Sequence, residues 1–482
     1  MRETTRVGDS YFLSLREGAR LTPKGADQMA LHFGGRTSTF RCESSANLQA
    51  LRQLGGEGGF EDRLAQQVLA AEGPEGLASF YYYIGLLSQR CLLRRSLLAD
   101  DRPLATLIPI SSSFKYAPQE LEPDREYRLS RFAFMRAEDS ETTLESPLSH
   151  ARVVLHDWRA TALVHDLARA CRPADASDPI PIPEDTATRL ITLLLQAGML
   201  TDETPSLRSW EFHDLLFHSR SRLGRHDLPI GGTYRFVDEL PPPLALKPAA
   251  SGDSIPLYRP DLEKLKREDP PFACVQDARR SIRDFAAKPI TLRQVGEFLY
   301  RVGRVTEGFT SDVPTPGGSV VMDFARRPYP SGGAVYELEL YLAVRACEGL
   351  ETGLYHYEPR THRLEPISGR TDDLDGLLSV ASVSAGIAGE QLQVLIVITS
   401  RFQRVSWKYA ATAYALTLKH VGVLYQTMYM VATAMQLAPC GLGCGDADLL
   451  ARAIGTDYYE ESSVGEFLLG SIGGSDEGSE GH

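Results

Sequence analysis

No stretch of this chain approaches the ~18 uninterrupted apolar residues that a transmembrane helix needs, so no membrane span is expected. The opening MRETTRVGDSYFLSLREG lacks an apolar core flanked by a cleavage site, and no signal peptide is expected. Cysteine is sparse: Cys42, Cys91, Cys171, Cys274, Cys347, Cys440 and Cys444 are odd in number and scattered over 482 positions. That usage excludes a disulfide framework and reads as reduced thiols in a cytoplasm. Cys440 and Cys444 are four apart but have no Cys or His pair beside them, so no metal site is expected. An excess of positive charge is missing too. A formal net charge of −12 argues against a nucleic acid or an anionic membrane as partner. No GxGxxG opens a helix after a strand, so no dinucleotide fingerprint is visible.

What is present is an ordinary globular composition, 43% hydrophobic and 24% charged, on a chain too long for one core. The fold class expected is α+β, with several domains. Residues 1–105 open with strand-like segments, YFLSLREGARL and MALHFGGRTSTF, the second turning at Gly34–Gly35. A helical stretch, LASFYYYIGLLSQRCLLRRSLL, follows. Residues 120–204 repeat that order, and RLTPKGADQMALHF and TLESPLSHARVVLH look like one element in two copies. Two short strands followed by helices make a small winged-helix-like unit, apparently duplicated. DNA binding would need a basic recognition helix, whereas Arg94–Arg95 are soon followed by Asp100–Asp101. Capture of an extended peptide at a sheet edge suits the layout better.

Residues 205–269 form a helical segment, EFHDLLFHSRSRLGRHD, and a proline-rich linker, DELPPPLALKPAASGDSIP. His213 and His218 are five apart, which is not the spacing of a helical metal pair. In residues 270–474 helix and strand alternate. Thr291 and Gln294 fit a capping box before an apolar face of Leu292, Val295, Phe298, Leu299 and Val302. VYELELYLAV alternates, with Leu338, Leu340 and Leu342 on one face, and TGLYHYEPRTHRLEPI reads as a hairpin around Pro359–Arg360. VLIVI at 394–398 reads as a strand buried on both faces. The helix after Lys408 is apolar nearly all round, with Gly422 allowing close approach, so it needs cover on every side. A second copy of the chain is the simplest cover. The acidic Gly/Ser tail, 475–482, is expected to be disordered.

Four segments invite a chemical reading. ARRSIRDF groups Arg279, Arg280 and Arg283 around Ser281, which suits a phosphate and a polar sugar chain or equally a solvated basic turn. Pro330-Ser331-Gly332-Gly333 is a tight turn entering a strand; its glycines would let backbone approach a flat ligand, or simply make a hairpin. APCGLGCGDADLL has three glycines alternating with larger residues and could present successive backbone N–H groups to an acceptor such as a flavin N5. Alternatively, Cys440 or Cys444 is a redox thiol. Lys408–Tyr409 is either a snorkelling cap beside a core aromatic or an acid–base pair.

Together, RRSxRxF, PSGG before a strand, GLYHYxPxxHxLE, and KY before a GxxxQ-containing helix ending in GLG resemble the FMN-dependent nitroreductase-fold oxidoreductases. More narrowly, they resemble the SagB/ThcOx-type azoline dehydrogenases, and the whole layout is similar to a cyanobactin-type thiazoline oxidase with two N-terminal peptide-clamp (RiPP recognition element) units. The resemblance covers about residues 270–474 for the oxidase domain. It implies FMN as cofactor, with Arg279, Ser281 and Arg283 at phosphate, ribityl and pyrimidine edge, and Arg280 as an adjacent candidate. It places Pro330, Ser331, Gly332 and Gly333 against the isoalloxazine, Gly443 and Cys444 near N5, and Lys408 and Tyr409 as the catalytic pair. One departure is plain: no basic residue follows Arg452 to grip the phosphate from the C-terminal end.

The activity implied is oxidation of peptide thiazolines or oxazolines to azoles. Molecular oxygen is the expected acceptor. The partners implied are a heterocyclised precursor peptide, leader and core, a second copy of the chain, and further synthetase subunits. The alternatives are an NAD(P)H-dependent nitro- or quinone reductase and a non-catalytic peptide-binding scaffold.

Overall fold

The computed structural model describes residues 11–25, 27–117, 119–176, 180–200, 204–249 and 252–473; the tail expected at 475–482 lies outside them. The chain divides into two compact units, Met1–Leu228 and Pro229–His482.

The first unit is built on a seven-stranded sheet. Its order is Gly59–Phe60, Phe12–Leu15, Leu93–Ala99, Arg102–Pro109, Ala151–Leu155, Glu141–Glu145 and Phe134–Glu138, antiparallel throughout. A separate three-stranded sheet, Arg20–Pro23, Gln28–Phe33 and Arg36–Arg41, forms a wing that turns at Gly34 and Gly35, both at positive φ. The two look-alike segments each fold as a pair of strands, with Pro23 ending the first strand of one and Pro147 in the turn of the other. Two cores result. One gathers Leu31, Leu51, Val68 and Leu87, and the other Leu107, Leu144, Val153, Leu163 and Leu190. The boundary expected at 105 falls inside Arg102–Pro109, which pairs with Ala151–Leu155, so both segments share one sheet.

The structure corrects one element here. LLRRSLL is not the end of the preceding helix but a strand, Leu93–Ala99. The helix stops at Gln89, and Cys91 takes a φ of +58° that reverses the chain. Leu93, Arg95 and Leu97 then point to one buried side. Arg95 is only 2% exposed, with its guanidinium 3.7 Å from the Tyr116 ring centre. That stacking accounts for Arg95 without a nucleic-acid partner.

The second unit has its own seven-stranded antiparallel sheet. The order is Ile255–Pro256, Arg363–Ser368, Gly353–Glu358, Leu338–Val344, Val394–Arg401, Glu461–Ser471 and Leu437–Gly441. Helices Leu292–Gly303 and Ala413–Ala434 cover one face, and Asp372–Ala385 and Ala447–Ile454 the other. The capping box forms as expected: the Gln294 N–H donates to Thr291 Oγ1 at 3.2 Å, and the Thr291 N–H donates to Gln294 Oε1 at 3.0 Å. The hairpin around Pro359 forms too, and Val394–Arg401 is buried on both faces up to its last residue.

The alternation read in VYELELYLAV does not mean one solvated face. Every residue of Leu338–Val344 is buried, Leu338, Leu340 and Leu342 in one core and Tyr341 and Ala343 in the other. Glu339 tolerates that burial because Arg401 lies 2.9 Å away and His356 3.4 Å away. The long helix Ala413–Ala434 buries Thr417, His420, Val421, Leu424, Met428 and Ala432. Leu418, Lys419, Gly422 and Gln426 are exposed along its other side, so a single chain covers only part of it.

Part of the proline-rich linker is fastened rather than loose. Trp407 Nε1 donates to the Leu240 carbonyl at 2.9 Å, and Arg401 donates to those of Leu244 and Ala245 at 2.9 and 2.8 Å. Lys247 Nζ donates to Glu461 and to the Tyr341 hydroxyl, each at 2.7 Å.

Candidate active site

The central strand Val394–Arg401 runs into a short helix, Phe402–Ser406, that delivers Lys408 and Tyr409. Arg404 anchors this turn. It is 1% exposed, and its guanidinium donates to three carbonyls: Val335 at 2.9 Å, Pro243 at 2.5 Å and Asp323 at 2.6 Å. Upstream chain completes the support. Gly231–Gly232 pairs with Tyr409–Ala410, the Tyr234 N–H donates to the Lys408 carbonyl at 3.2 Å, and the Tyr234 ring centre lies 5.8 Å from Lys408 Nζ.

Lys408 and Tyr409 meet the PSGG turn. Lys408 Nζ donates to the Gly333 carbonyl at 3.3 Å. Gly333 has a φ of +63°, and a Cβ added there would meet the Tyr409 hydroxyl and stand 2.5 Å from Lys408 Nζ. Ser331 Oγ accepts the Tyr336 N–H at 3.1 Å, while Pro330 at the head of the turn is exposed. Burial, and then the Arg404 guanidinium, hold the Lys408 ammonium below its ordinary pKa. Burial and the neighbouring Tyr234 push the Tyr409 phenol up. Both shifts favour the uncharged form of each side chain.

A second group gathers round Tyr429. Its hydroxyl lies 2.7 Å from Ser281 Oγ and accepts the Gly441 N–H at 2.7 Å, and the Arg279 guanidinium sits 5.4 Å from its ring centre. Arg280 and Arg283 are exposed beside it in sequence, and the Ile282 N–H pins the segment to the Pro439 carbonyl at 2.8 Å. Gly443 and Cys444 are also exposed, with Cys444 Sγ 3.8 Å from Ser384 Oγ. Cys440, by contrast, is fully buried and its thiol is pushed up by burial, an inert environment.

These two groups do not converge within one chain. The Gly332 N–H donates to His420 Nε2 at 2.7 Å, whereas Ser281 and Gly441 meet Tyr429. Nine residues separate His420 and Tyr429 on one helix, about two and a half turns and roughly 13 Å of rise. They project from opposite sides.

The residues fit a phosphate-bearing planar group. Exposed guanidinium groups and a hydroxyl lie at one station, and a turn at the other leaves no room for a Cβ. No group of His, Cys, Asp or Glu suited to a metal ion occurs among the described residues. No helix among them is long and apolar enough to cross a membrane.

Three contributors were not foreseen. Glu337 and His420 lie 83 positions apart, with Glu337 Oε1 2.7 Å from His420 Nδ1, and Tyr234 lies far upstream of Lys408. Only the charged residue in an otherwise apolar strand entry, and a histidine in an apolar helix, could have flagged the first two.

Comparison with known proteins adds independent observations. Three family models match in succession: the ThcOx helix turn helix domain over residues 8–117, the cyanobactin oxidase ThcOx over 127–227, and the nitroreductase family over 277–471. The Methanocaldococcus jannaschii protein named "Putative nitroreductase MJ1384" is 27% identical over 194 residues, covering 40% of this chain and 85% of its own. The Escherichia coli microcin B17-processing protein McbC is 34% identical over 132 residues, 26% of this chain and 44% of its own. The Rhizobium leguminosarum trifolitoxin-processing protein TfxB is 27% identical over 149 residues, 30% of this chain and 35% of its own. The chain thus spans less than half the length of either processing protein. The nitroreductase domain makes it an oxidoreductase by family. The chain thus carries, in order, segments similar to the two ThcOx domain models and to the nitroreductase family.

Proposed function

We propose that this protein oxidises thiazoline or oxazoline rings in a precursor peptide to thiazoles or oxazoles, with FMN as cofactor and molecular oxygen as final acceptor. The observation that carries the reading is Lys408, its ammonium disfavoured by burial and by Arg404, set beside Tyr409 against the Gly333 backbone. An azoline ring must lose a proton and a hydride from adjacent carbons. The carbon next to the carbonyl and imine is the acidic one, and a neutral Lys408 is the base that takes its proton. Tyr409, protonated, orients the ring or relays that proton. Bound FMN would supply the two-electron acceptor for the hydride.

Arg279, Arg280, Ser281 and Arg283 would hold the phosphate and ribityl chain. Pro330 to Gly333, and Gly443 with Cys444, would face the ring system. Because the two stations lie on opposite sides of one helix, a second copy on its exposed side would bring one chain's arginines toward the other's PSGG turn. A homodimer is therefore part of the reading. The first unit would hold the leader peptide, as the processing roles named for two relatives suggest. A nitro- or quinone reductase is the second reading, favoured by the similarity to the archaeal nitroreductase.

The test is direct. Purified protein should carry a flavin absorbance and, in air, should remove two hydrogens per ring from a thiazoline-containing leader–core peptide, read by mass. An unchanged peptide mass alongside stoichiometric NAD(P)H consumption with a nitroaromatic would replace this reading by the second.

A further inference from the structure

Among the buried titratable groups that the proposed chemistry does not use, one pair touches the site directly. His420 is 5% exposed and Glu337 fully buried. The Gly332 N–H donates to His420 Nε2 at 2.7 Å. An amide proton can point at that nitrogen only if the nitrogen keeps its lone pair, so the ring proton sits on Nδ1. Nδ1 lies 2.7 Å from Glu337 Oε1, and the carboxylate is its acceptor. The tautomer thus follows from the network rather than from choice.

The pair hangs between rigid and strained parts of the fold. Glu337 immediately precedes the central strand Leu338–Val344, and its own carbonyl accepts the Arg401 N–H at 3.1 Å. Gly333, Ala334 and Tyr336 all have positive φ, +63°, +54° and +43°. Such backbone is strained at each non-glycine residue and persists only where surroundings hold it. The Gly333 carbonyl, two peptide units further along the same turn, is the one that takes Lys408 Nζ.

We propose that His420 is a positioning residue: its Nε2 lone pair fixes the Gly332–Gly333 backbone beneath Lys408 and Tyr409, and Glu337 fixes the ring tautomer that makes this possible. The inference rests on the reading of Lys408 and the PSGG turn given above. It predicts that an acceptor at the ε position matters, and not the volume of the ring.

His420→Leu keeps bulk and removes the acceptor; His420→Gln restores an acceptor at comparable reach. His420→Leu should lower kcat on the thiazoline peptide about tenfold or more with KM changed less than about twofold, and alter the visible circular dichroism of bound flavin. His420→Gln should recover most of the rate and the wild-type dichroism. Long-range proton–nitrogen NMR on 15N-histidine-labelled protein should show His420 protonated on Nδ1 and bare on Nε2. A protonated Nε2, a wild-type rate and dichroism in His420→Leu, or equal impairment in both variants would overturn the proposal. If His420→Leu fails to fold, the tautomer and the behaviour of His420→Gln decide the matter. If the wild type leaves thiazolines untouched, the functional reading falls while the tautomer measurement still judges the positioning role.

Discussion

Replacing Gly333 by alanine should silence the site while leaving the fold standing. A Cβ there would lie 2.5 Å from Lys408 Nζ, where ordinary contact begins at 3.4 Å, and would also meet the Tyr409 hydroxyl. Both obstacles are the far ends of side chains that can swing away, so the cost to stability is mainly the positive φ. That cost is about 1–2 kcal/mol, or a fall in Tm of roughly 2–8 °C for a domain of this size. The side-chain tips, however, must retreat by roughly 1 Å, and displacement on that scale costs about 100-fold in rate. The assay is single-ring oxidation of a thiazoline peptide followed by mass, with flavin content and thermal unfolding measured on the same samples. Gly317, with open space around it, is the control, and Gly317→Ala should be neutral. Gly333→Ala with kcat within twofold of wild type and flavin retained would refute the argument that Lys408 and Tyr409 act from where this turn holds them.

The pH dependence has a definite sign. A base must be neutral, so kcat should rise with pH through the Lys408 pKa, which burial and Arg404 place below its ordinary value of 10.5. Arg404→Met should move that limb to higher pH and, by orphaning three carbonyls, cost about 3 kcal/mol or more in urea unfolding; an unmoved limb would remove Arg404 from the explanation. Arg279→Ala should weaken FMN binding about 10- to 100-fold by fluorescence titration, the loss expected for one charge-assisted hydrogen bond. Gly422→Glu, on the exposed side of the long helix, should give a monomer by light scattering that no longer retains flavin. A wild-type monomer that keeps its flavin would dismiss the two-chain site.

Much of the second unit was legible because its signals are local. The Thr291–Gln294 capping box needs only three residues of context, and VLIVI announces a doubly covered strand by leaving no position for water. Misreadings came where burial was decided from far away. LLRRSLL continues a helical pattern, but it is a strand held between its hairpin partner Arg102–Pro109 and Phe12–Leu15, some 80 positions earlier, and no periodicity reports that second pairing. The leucine alternation after Val335 was real, yet the second face is covered by a helix, Asp372–Ala385, that the pattern cannot see. Lys408, Tyr409 and the PSGG turn were recognisable as segments; that they touch, and that His420 and Tyr234 join them, follows only from tertiary packing.

The fastened linker bears on how such enzymes can be cut and recombined. The nitroreductase match begins at residue 277, yet Arg401, Arg404 and Trp407 spend their donors on carbonyls between Leu240 and Ala245. A fragment trimmed to the matched boundary would strip those buried donors of their acceptors one turn before Lys408. A chimera exchanging catalytic domains would have to carry residues 229–249 with the domain, because the segment that looks like a tether between modules supplies the acceptors that hold the turn before Lys408.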